Sequence, residues 1–309
     1  MSRSEHHSHH KKNNIWKWVL GILIALVLVV IGVGAKVFYD TKHTMDGIQQ
    51  EVSATNNANV DLKKSTPVSI LLLGVDDGDG RAKGSGRSDS MMVVALNPKD
   101  KKSALVSIER DSYVNIVGYG AKDKLNSAYA YGGTSMAVKT VEQLLNIPIN
   151  FYVTMNMDGL EELVNAVGGV TVNSKFAFSY GGYQFKKGEN TLNGKQALAF
   201  TRMRYDDPEG DYGRQYRQRE VVQAVMKKIL SMHSITNYKA VLNAVKNNMK
   251  TDITWNDMLL LAKNYAKCSK NVKSDYLHGE GFTQNGISYQ DVSGDLPRIQ
   301  QLLQSYLNE

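Results

Sequence analysis

The sequence predicts an α/β protein: a three-layer α/β/α core with a central mixed sheet, preceded by one N-terminal transmembrane helix. Three observations carry this. An uncharged apolar stretch, Trp18–Ala35, stands near the N-terminus. Beyond it, short apolar runs bounded by turn residues alternate with segments of helical apolar spacing. The overall composition is that of a globular protein, with 42% hydrophobic and 22% charged residues in 309. That balance excludes a fully disordered chain, and the mean hydropathy of −0.34 excludes a polytopic membrane protein. The single cysteine, Cys268, excludes an intramolecular disulfide and a cysteine-based zinc site. The net charge of +7 is spread along the chain and names no partner.

The first element is the apolar stretch. Eighteen to twenty helical residues at about 1.5 Å each span the roughly 30 Å hydrocarbon core of a bilayer. Trp16 and Trp18 stand at one end, Phe38 and Tyr39 at the other, as interfacial aromatics do. A buried core helix would show a polar face over this length. A cleaved signal peptide has a shorter apolar region, although Gly32–Ala35 resembles its small-residue ending. Arg3, Lys11, Lys12 and Lys17 precede the span, while Lys36 and Lys42 after it are accompanied by Asp40 and Asp46. The positive-inside rule then predicts a cytoplasmic tail over 1–17, a span over 18–39 and an extracellular remainder. The HHSHH run at 6–10 reads as solvated tail rather than a metal site. Residues 40–66, polar and poor in apolar content, predict a stalk.

The folded part follows. VSILLLGV (68–75) predicts a buried central strand. SMMVVAL (90–96) and SALVSIE (103–109) predict two more, joined through NPKDKK as a hairpin. TSMAVKTVEQLLN (134–146) predicts a helix, FYVTMN (151–156) a strand, and MDGLEELVNAVGG (157–169) a helix closed by glycine. VTV (170–172) begins another strand, and 177–185 predicts a hairpin about Gly181-Gly182. Residues 193–204 predict a short helix leading into an extended piece. Residues 212–230 predict an amphipathic helix with Val221, Val222, Val225, Met226, Ile229 and Leu230 on one face. Strands and helices in this order form a layered sheet. The expected domain runs from 67 to 232. Helices at 254–267 and 296–307 and a strand at 271–278 then make 233–309 a C-terminal helical extension packed on the core.

Three clusters could carry chemistry. GVDDGDGRAKGSGRSDS (74–90) leaves one strand and enters the next through a glycine-rich loop, with Asp76 and Asp89 at strand ends, where α/β sheets place ligands. Two carboxylates with a phosphate can complete a magnesium shell. The same loop also reads as a solvated turn capped by its aspartates. It is not a P-loop, because GxxxxGK[ST] is absent. The second cluster is Glu109-Arg110-Asp111, where a strand exits into a loop. The third, residues 200–220, holds five arginines and five acids. Arg202 and Arg204, two apart in an extended segment, share a face. Arg214, Arg217 and Gln218 share a helical face near a helix start, where the backbone adds positive potential. With the acids turned to water, the arginines expect a polyanion such as pyrophosphate, whose oxygens match guanidinium forks.

The order LLLGVD, GRSD, ERD, KLNSAYAYGG and RMRYDDPEGDYGRQYRQ closely resembles the LytR-CpsA-Psr family, LytR-type members most of all, over roughly 67–231 and in the single N-terminal span. The chain departs from the family pattern in two places. Gly78, followed by Arg81, stands where many members have an arginine, and Glu109 stands where many have proline. Neither removes an implied ligand. The resemblance implies that Asp76 and Asp89 bind Mg²⁺, with Mn²⁺ a substitute. It implies that Arg87, Arg110, Arg202, Arg204, Arg214 and Gln218 hold the pyrophosphate of a polyprenyl-linked glycan. It also implies an α/β/α core with a hydrophobic tunnel for the lipid, and an envelope of Gram-positive type. The implied activity moves an anionic glycopolymer, teichoic acid or capsule, from undecaprenyl pyrophosphate to peptidoglycan.

In that reaction a wall hydroxyl attacks the phosphorus nearer the glycan, undecaprenyl phosphate leaves, and a phosphodiester forms. The arginines and the cation neutralise charge on the leaving phosphate. Asp89 and Asp111 are the candidate bases, with Arg110 between them in the catalytic set. Lys124, Asn126, Tyr129 and Tyr131 fit sugar or phosphate contact and loop packing equally. Two other classes compete. A hydrolase would use the same site with water as acceptor. A transcriptional regulator would need a basic module on the cytoplasmic side, and a tail of about 17 residues is too short for one, so no nucleic-acid partner is expected.

Overall fold

A six-stranded mixed sheet organises the protein, in the strand order β11-β6-β1-β2-β3-β12. The computed structural model describes residues 34–57, 60–76, 86–231 and 238–308. The chain divides into two units, 1–43 and 44–309, and the fold below is that of the second. The predicted span falls mostly on residues outside the described ones; among the described residues no helix is long and apolar enough to cross a membrane.

Helical residues 44–48 (α1) open this unit. The sheet begins with β1 (Val68–Asp76), β2 (Arg87–Asn97) and β3 (Lys102–Ser107), antiparallel neighbours of which β2 and β3 form the predicted hairpin. β6 (Phe151–Asn156) lies parallel to β1 on the other side. Layers on both faces explain the continuous apolar runs of these strands. On one face Leu71, Leu73, Met91, Val93 and Val106 meet Val138, Val141 and Leu145 of α2 (Ser127–Leu145) and Ile299 and Leu303 of α8 (Leu296–Leu307). α2 breaks at Gly132 and Gly133, so the helix predicted from Thr134 is its second segment. On the opposite face Met92, Val94 and Leu105 meet Val222 of α5 (Asp211–Ser231).

A smaller cluster flanks the sheet. It joins α3 (Met157–Ala166), β7 (Val170–Ser174), the hairpin of β8 (Phe178–Tyr180) and β9 (Tyr183–Phe185), β10 (Gly188–Leu192), α4 (Gly194–Arg202) and α5. Asn156 caps α3 by accepting from Gly159 N at 2.8 Å. Asn193 and Gln196 form a reciprocal cap on α4. Gly181 and Gly182 turn the predicted hairpin with φ of 58° and 81°.

Two expected segments differ. Residues 44–66 are part of the folded unit rather than a stalk. Met45 and Ile48 are buried against Trp255, and Leu62 joins Val68, Phe151 and Tyr265. The apolar residues there are few and divide among separate clusters, and average polarity hid them. The segment 233–309 is not a helical appendage. It contributes α6 (Tyr238–Asn248), α7 (Trp255–Asn264) and both outer strands of the main sheet. β11 (Met249–Thr251) pairs with β6, and β12 (Val272–Tyr276) pairs with β3. Two ribbons complete the chain, β4 (Tyr113–Asn115) with β5 (Lys122–Lys124), and β13 (Glu280–Gln284) with β14 (Ile287–Asp291).

Candidate active site

The end of β1, the start of antiparallel β2 and the end of β3 lie at one end of the sheet, which places Asp76, Arg87, Asp89 and the Glu109–Asp111 loop together. Asp76 pairs with Arg87, and Val75 with Ser88, but Gly74 pairs with Ser90. Asp89 is therefore the extra residue of a bulge, a device that re-aims a side chain. Its Oδ1 accepts from Arg110 Nη1 at 2.7 Å and from Asn126 Nδ2 at 3.3 Å.

The start of α5 meets this loop. Gln215 donates to Glu109 Oε2, and Arg110 lies 3.9 Å from Asp211. Arg204 and Arg214 approach the same Asp211 carboxylate at 3.2 and 3.0 Å. Three arginines thus surround one aspartate in the first turn of a helix, where backbone N–H groups also point. Five buried polar atoms left without a hydrogen-bond partner cluster here: Arg110 Nε, Arg214 Nε, Asn126 Oδ1, Asp211 Oδ1 and Gln215 Oε1. Two are guanidinium donors, and a buried donor without an acceptor is costly. An oxyanion with several acceptor oxygens resolves that.

The electrostatics follow from the packing. Burial acts to lower the Arg110 pKa, but the charges of Asp89, Asp211 and Asp111 outweigh it and hold it up. Burial pushes Arg214 down, with Asp211 working against it. Glu109 is buried beside Asp211 and Asp111 and is raised to about 7, chiefly by burial. Lys124 on β5 pairs with Asp111 at 2.9 Å.

Arg110, Arg204 and Arg214 are brought together as expected, and half-buried Gln218 follows Arg214 by one turn of α5. Arg87 is exposed at the start of β2 opposite Asp76. Two arginines differ. Arg202 is the exposed last residue of α4, because the helix extends through it and Arg202 and Arg204 do not share an extended face. Arg217 points away from the cluster. Its Nε donates to the Phe200 carbonyl at 2.9 Å, its Nη2 to the Met203 carbonyl, and its Nη1 pairs with buried Asp207. It locks α4 to α5. The acids are also not all turned to water, since Asp207 and Asp211 are the counter-ions of these arginines. Arg81 lies outside the described residues.

Sequence reasoning missed Asp211 and Gln215 as members of the cluster. The signal was spacing, since Asp211 precedes Arg214 by three residues and Gln215 by four. For a divalent cation, Asp76 and Asp89 are a two-carboxylate oxygen set at adjacent strand ends. That fits Mg²⁺, which takes one or two carboxylates plus substrate phosphate. Among the described residues no group of three or more His, Cys, Asp or Glu could cage a metal.

Below the cluster, between the sheet and α5 and α7, lies a cleft of about 830 Å³. Ile70, Val94 and Leu105 line its floor, and Ala224, Met226 and Leu261 its walls. Arg219 bridges α5 to the sheet beside it through Ser107 Oγ at 2.8 Å and Ser274 Oγ at 3.0 Å. From Arg214 to Gln223, α5 rises about 14 Å, so one helix bears the arginine cluster at its start and a cleft wall at its middle. The predicted apolar face of α5 divides accordingly. Val221 and Val225 pack into the flanking cluster, Val222 onto the sheet, and Met226 into the cleft.

Known proteins resemble this chain throughout. A family model described as the LytR_cpsA_psr family matches residues 35–305. An Enterococcus faecalis protein named polyisoprenyl-teichoic acid–peptidoglycan teichoic acid transferase TagU is 49% identical over 299 residues, 96% of this chain and 99% of its own. A crystal structure from the same species, described as a transcriptional regulator, superposes with a TM-score of 0.72 at 41% identity, covering 81% of this chain and 90% of that one. A structure of TagT bound to LI-WTA gives a TM-score of 0.68 at 32% identity, covering 81% and 94%.

Proposed function

The chain belongs to the LytR-CpsA-Psr family, and from that premise we propose that it is a membrane-anchored phosphotransferase joining a polyprenyl-pyrophosphate-linked anionic glycopolymer to peptidoglycan. The observation that carries the reading is the position of α5, with three arginines around its first turn and an apolar cleft along its middle. A lipid pyrophosphate has that same division, a charged head and an apolar tail. The Enterococcus faecalis relative's name supports teichoic acid as the polymer class.

On this reading the pyrophosphate oxygens replace the Asp211 carboxylate as partners of Arg110, Arg204 and Arg214. Their guanidinium donors then meet charge that grows on the leaving lipid phosphate. Mg²⁺ held by Asp76 and Asp89, with Mn²⁺ as a substitute, would supply further positive charge against the phosphate oxygens. An acceptor hydroxyl oxygen bonds to the phosphorus nearer the glycan, and the bond from that phosphorus to the lipid phosphate oxygen breaks. With Asp89 given to the cation, we assign Asp111 to take the hydroxyl proton, oriented by Lys124 at 2.9 Å. The predicted span would hold the site beside its lipid substrate, outside the membrane.

The test gives the purified chain a polyprenyl-pyrophosphate-linked glycan and peptidoglycan oligomers, with and without Mg²⁺, and analyses products by mass spectrometry. A phosphodiester-linked product that needs Mg²⁺ and is lost in Asp76→Ala is expected. Lipid phosphate released without a linked product would make the protein a hydrolase. Neither turnover nor lipid binding would return it to the regulatory class.

A further inference from the structure

We propose that Tyr119, Tyr131 and Asp123 form a sugar-binding subsite that takes a neutral pyranose ring of a glycan beside the arginine cluster. The two tyrosine rings stack with centroids 4.1 Å apart and planes 13° from parallel. Both stay open to solvent, Tyr119 at 50% and Tyr131 at 44% exposure. Each ring uses one face on its partner, so apolar ring surface is left facing outward.

The pair is held in place before any ligand arrives. Tyr119 sits between Gly118 and Gly120, whose φ values of 86° and 79° set a tight loop. That loop is closed by Ile116 N donating to Ala121 O at 3.0 Å and by Val117 N donating to Thr140 Oγ1 at 3.2 Å. Tyr131 is the last residue of α2 before its break at Gly132. Its hydroxyl donates to Asp123 Oδ2 at 2.5 Å. That bond pushes the Tyr131 pKa up to about 12, so the hydroxyl remains a donor. Two exposed aromatic rings fixed by the backbone and by a carboxylate lose little freedom on binding a ligand.

The chemistry selects the ligand. Aromatic rings offer an apolar face with a polar edge. A pyranose ring presents the matching pair, a face of C–H groups and a rim of hydroxyls. The Asp123 carboxylate accepts from such hydroxyls and repels phosphate. Burial works to raise the Asp123 pKa, but Tyr131, the Lys124 amide, Ser127 and the charge of Arg87 together lower it, so it stays ionised. Lys124, the next residue along β5, reaches Asp111. A glycan attached to, or attacking, the phosphorus passes this ledge.

The role of the subsite in transfer rests on the function proposed above, whereas sugar binding itself does not. The probe is a neutral N-acetylglucosamine tetramer, titrated into the full chain by saturation-transfer NMR. Wild type is expected to bind it. Tyr119→Ala and Tyr131→Ala are expected to weaken binding about three- to tenfold, with unchanged thermal unfolding. If either alanine variant fails to fold, Asp123→Asn keeps both rings and is expected to weaken binding about threefold. No binding by wild type, or equal binding by wild type and folded variants, overturns the proposal and leaves the product assay untouched. Steady-state transfer then separates the two sources of pyranose. A raised KM for peptidoglycan oligomer assigns the ledge to the acceptor, and a raised KM for the lipid-linked glycan assigns it to the donor. Both KM values unchanged would overturn its part in the reaction.

Discussion

Replacing Glu109 by glutamine should change how the stability of the 44–309 unit depends on pH. Glu109 is 1% exposed, with the Asp111 amide donating to Oε1 at 3.2 Å and Gln215 donating to Oε2. Burial, then the charge of Asp211, raises its pKa to about 7 against 4.5 for the free side chain. Between those values the folded state keeps a proton that the unfolded chain has released. Stability therefore falls as pH rises through this window. The gap between 4.5 and about 7, at about 1.36 kcal/mol per pH unit, corresponds to about 3 kcal/mol. Glutamine still accepts from Gln215 through its amide oxygen, but its NH₂ faces the Asp111 amide, which adds a cost that does not vary with pH. Urea unfolding of wild type and variant at pH 5 and pH 8 separates the two effects. The wild type should lose about 2.5 kcal/mol more than the variant between those pH values. Parallel pH dependence in the two proteins would refute the assignment of a protonated, buried Glu109.

Other substitutions probe other links. Arg217→Ala leaves Asp207 buried without its cation and should destabilise the fold by about 3–5 kcal/mol in a thermal melt, although Arg217 lies outside the arginine cluster around Asp211. Gly213→Ala drives a Cβ into the Asp207 carboxylate and should cost about 1–3 kcal/mol, read the same way. Ile48→Ala should cost about 2–4 kcal/mol, and a fragment starting at residue 67 should unfold where one starting at 44 folds, because Met45, Ile48 and Leu62 are buried. Arg110→Ala should keep the fold and lower transfer by at least about 100-fold; normal transfer by that variant would remove Arg110 from the phosphate site.

Much of the core is written locally. β1, β2, β3 and β6 are read from uninterrupted apolar runs because the sheet is covered on both faces. The starts of α3 and α4 fall within one residue of the predicted ones, and Asn156 and Asn193 fix them through caps between residues three apart. Of the two edge strands, β12 falls within the predicted strand at 271–278, whereas β11 was hidden. β11 is the three-residue Met249–Thr251, and its strand geometry comes from β6 beside it. The candidate site divides in the same way. Residue type and spacing make Arg204 and Arg214 candidate anion ligands, and the family resemblance adds Arg110. The turn of α5 alone decides that Arg214 faces Asp211 while Arg217 faces the α4 carbonyls. One acid among five, Asp211, proves to be the centre of the cluster because a helix start places it between arginines distant in sequence.

Which bond is broken decides the proposed reaction. A lipid-linked glycan carrying radiolabelled phosphorus only at the position nearer the sugar, mixed with excess enzyme and peptidoglycan oligomer, reports this in a single turnover. The label is expected to move wholly into the peptidoglycan product while unlabelled polyprenyl phosphate is released. Label retained on the lipid, or released as free glycan phosphate with no linked product, would contradict that reaction.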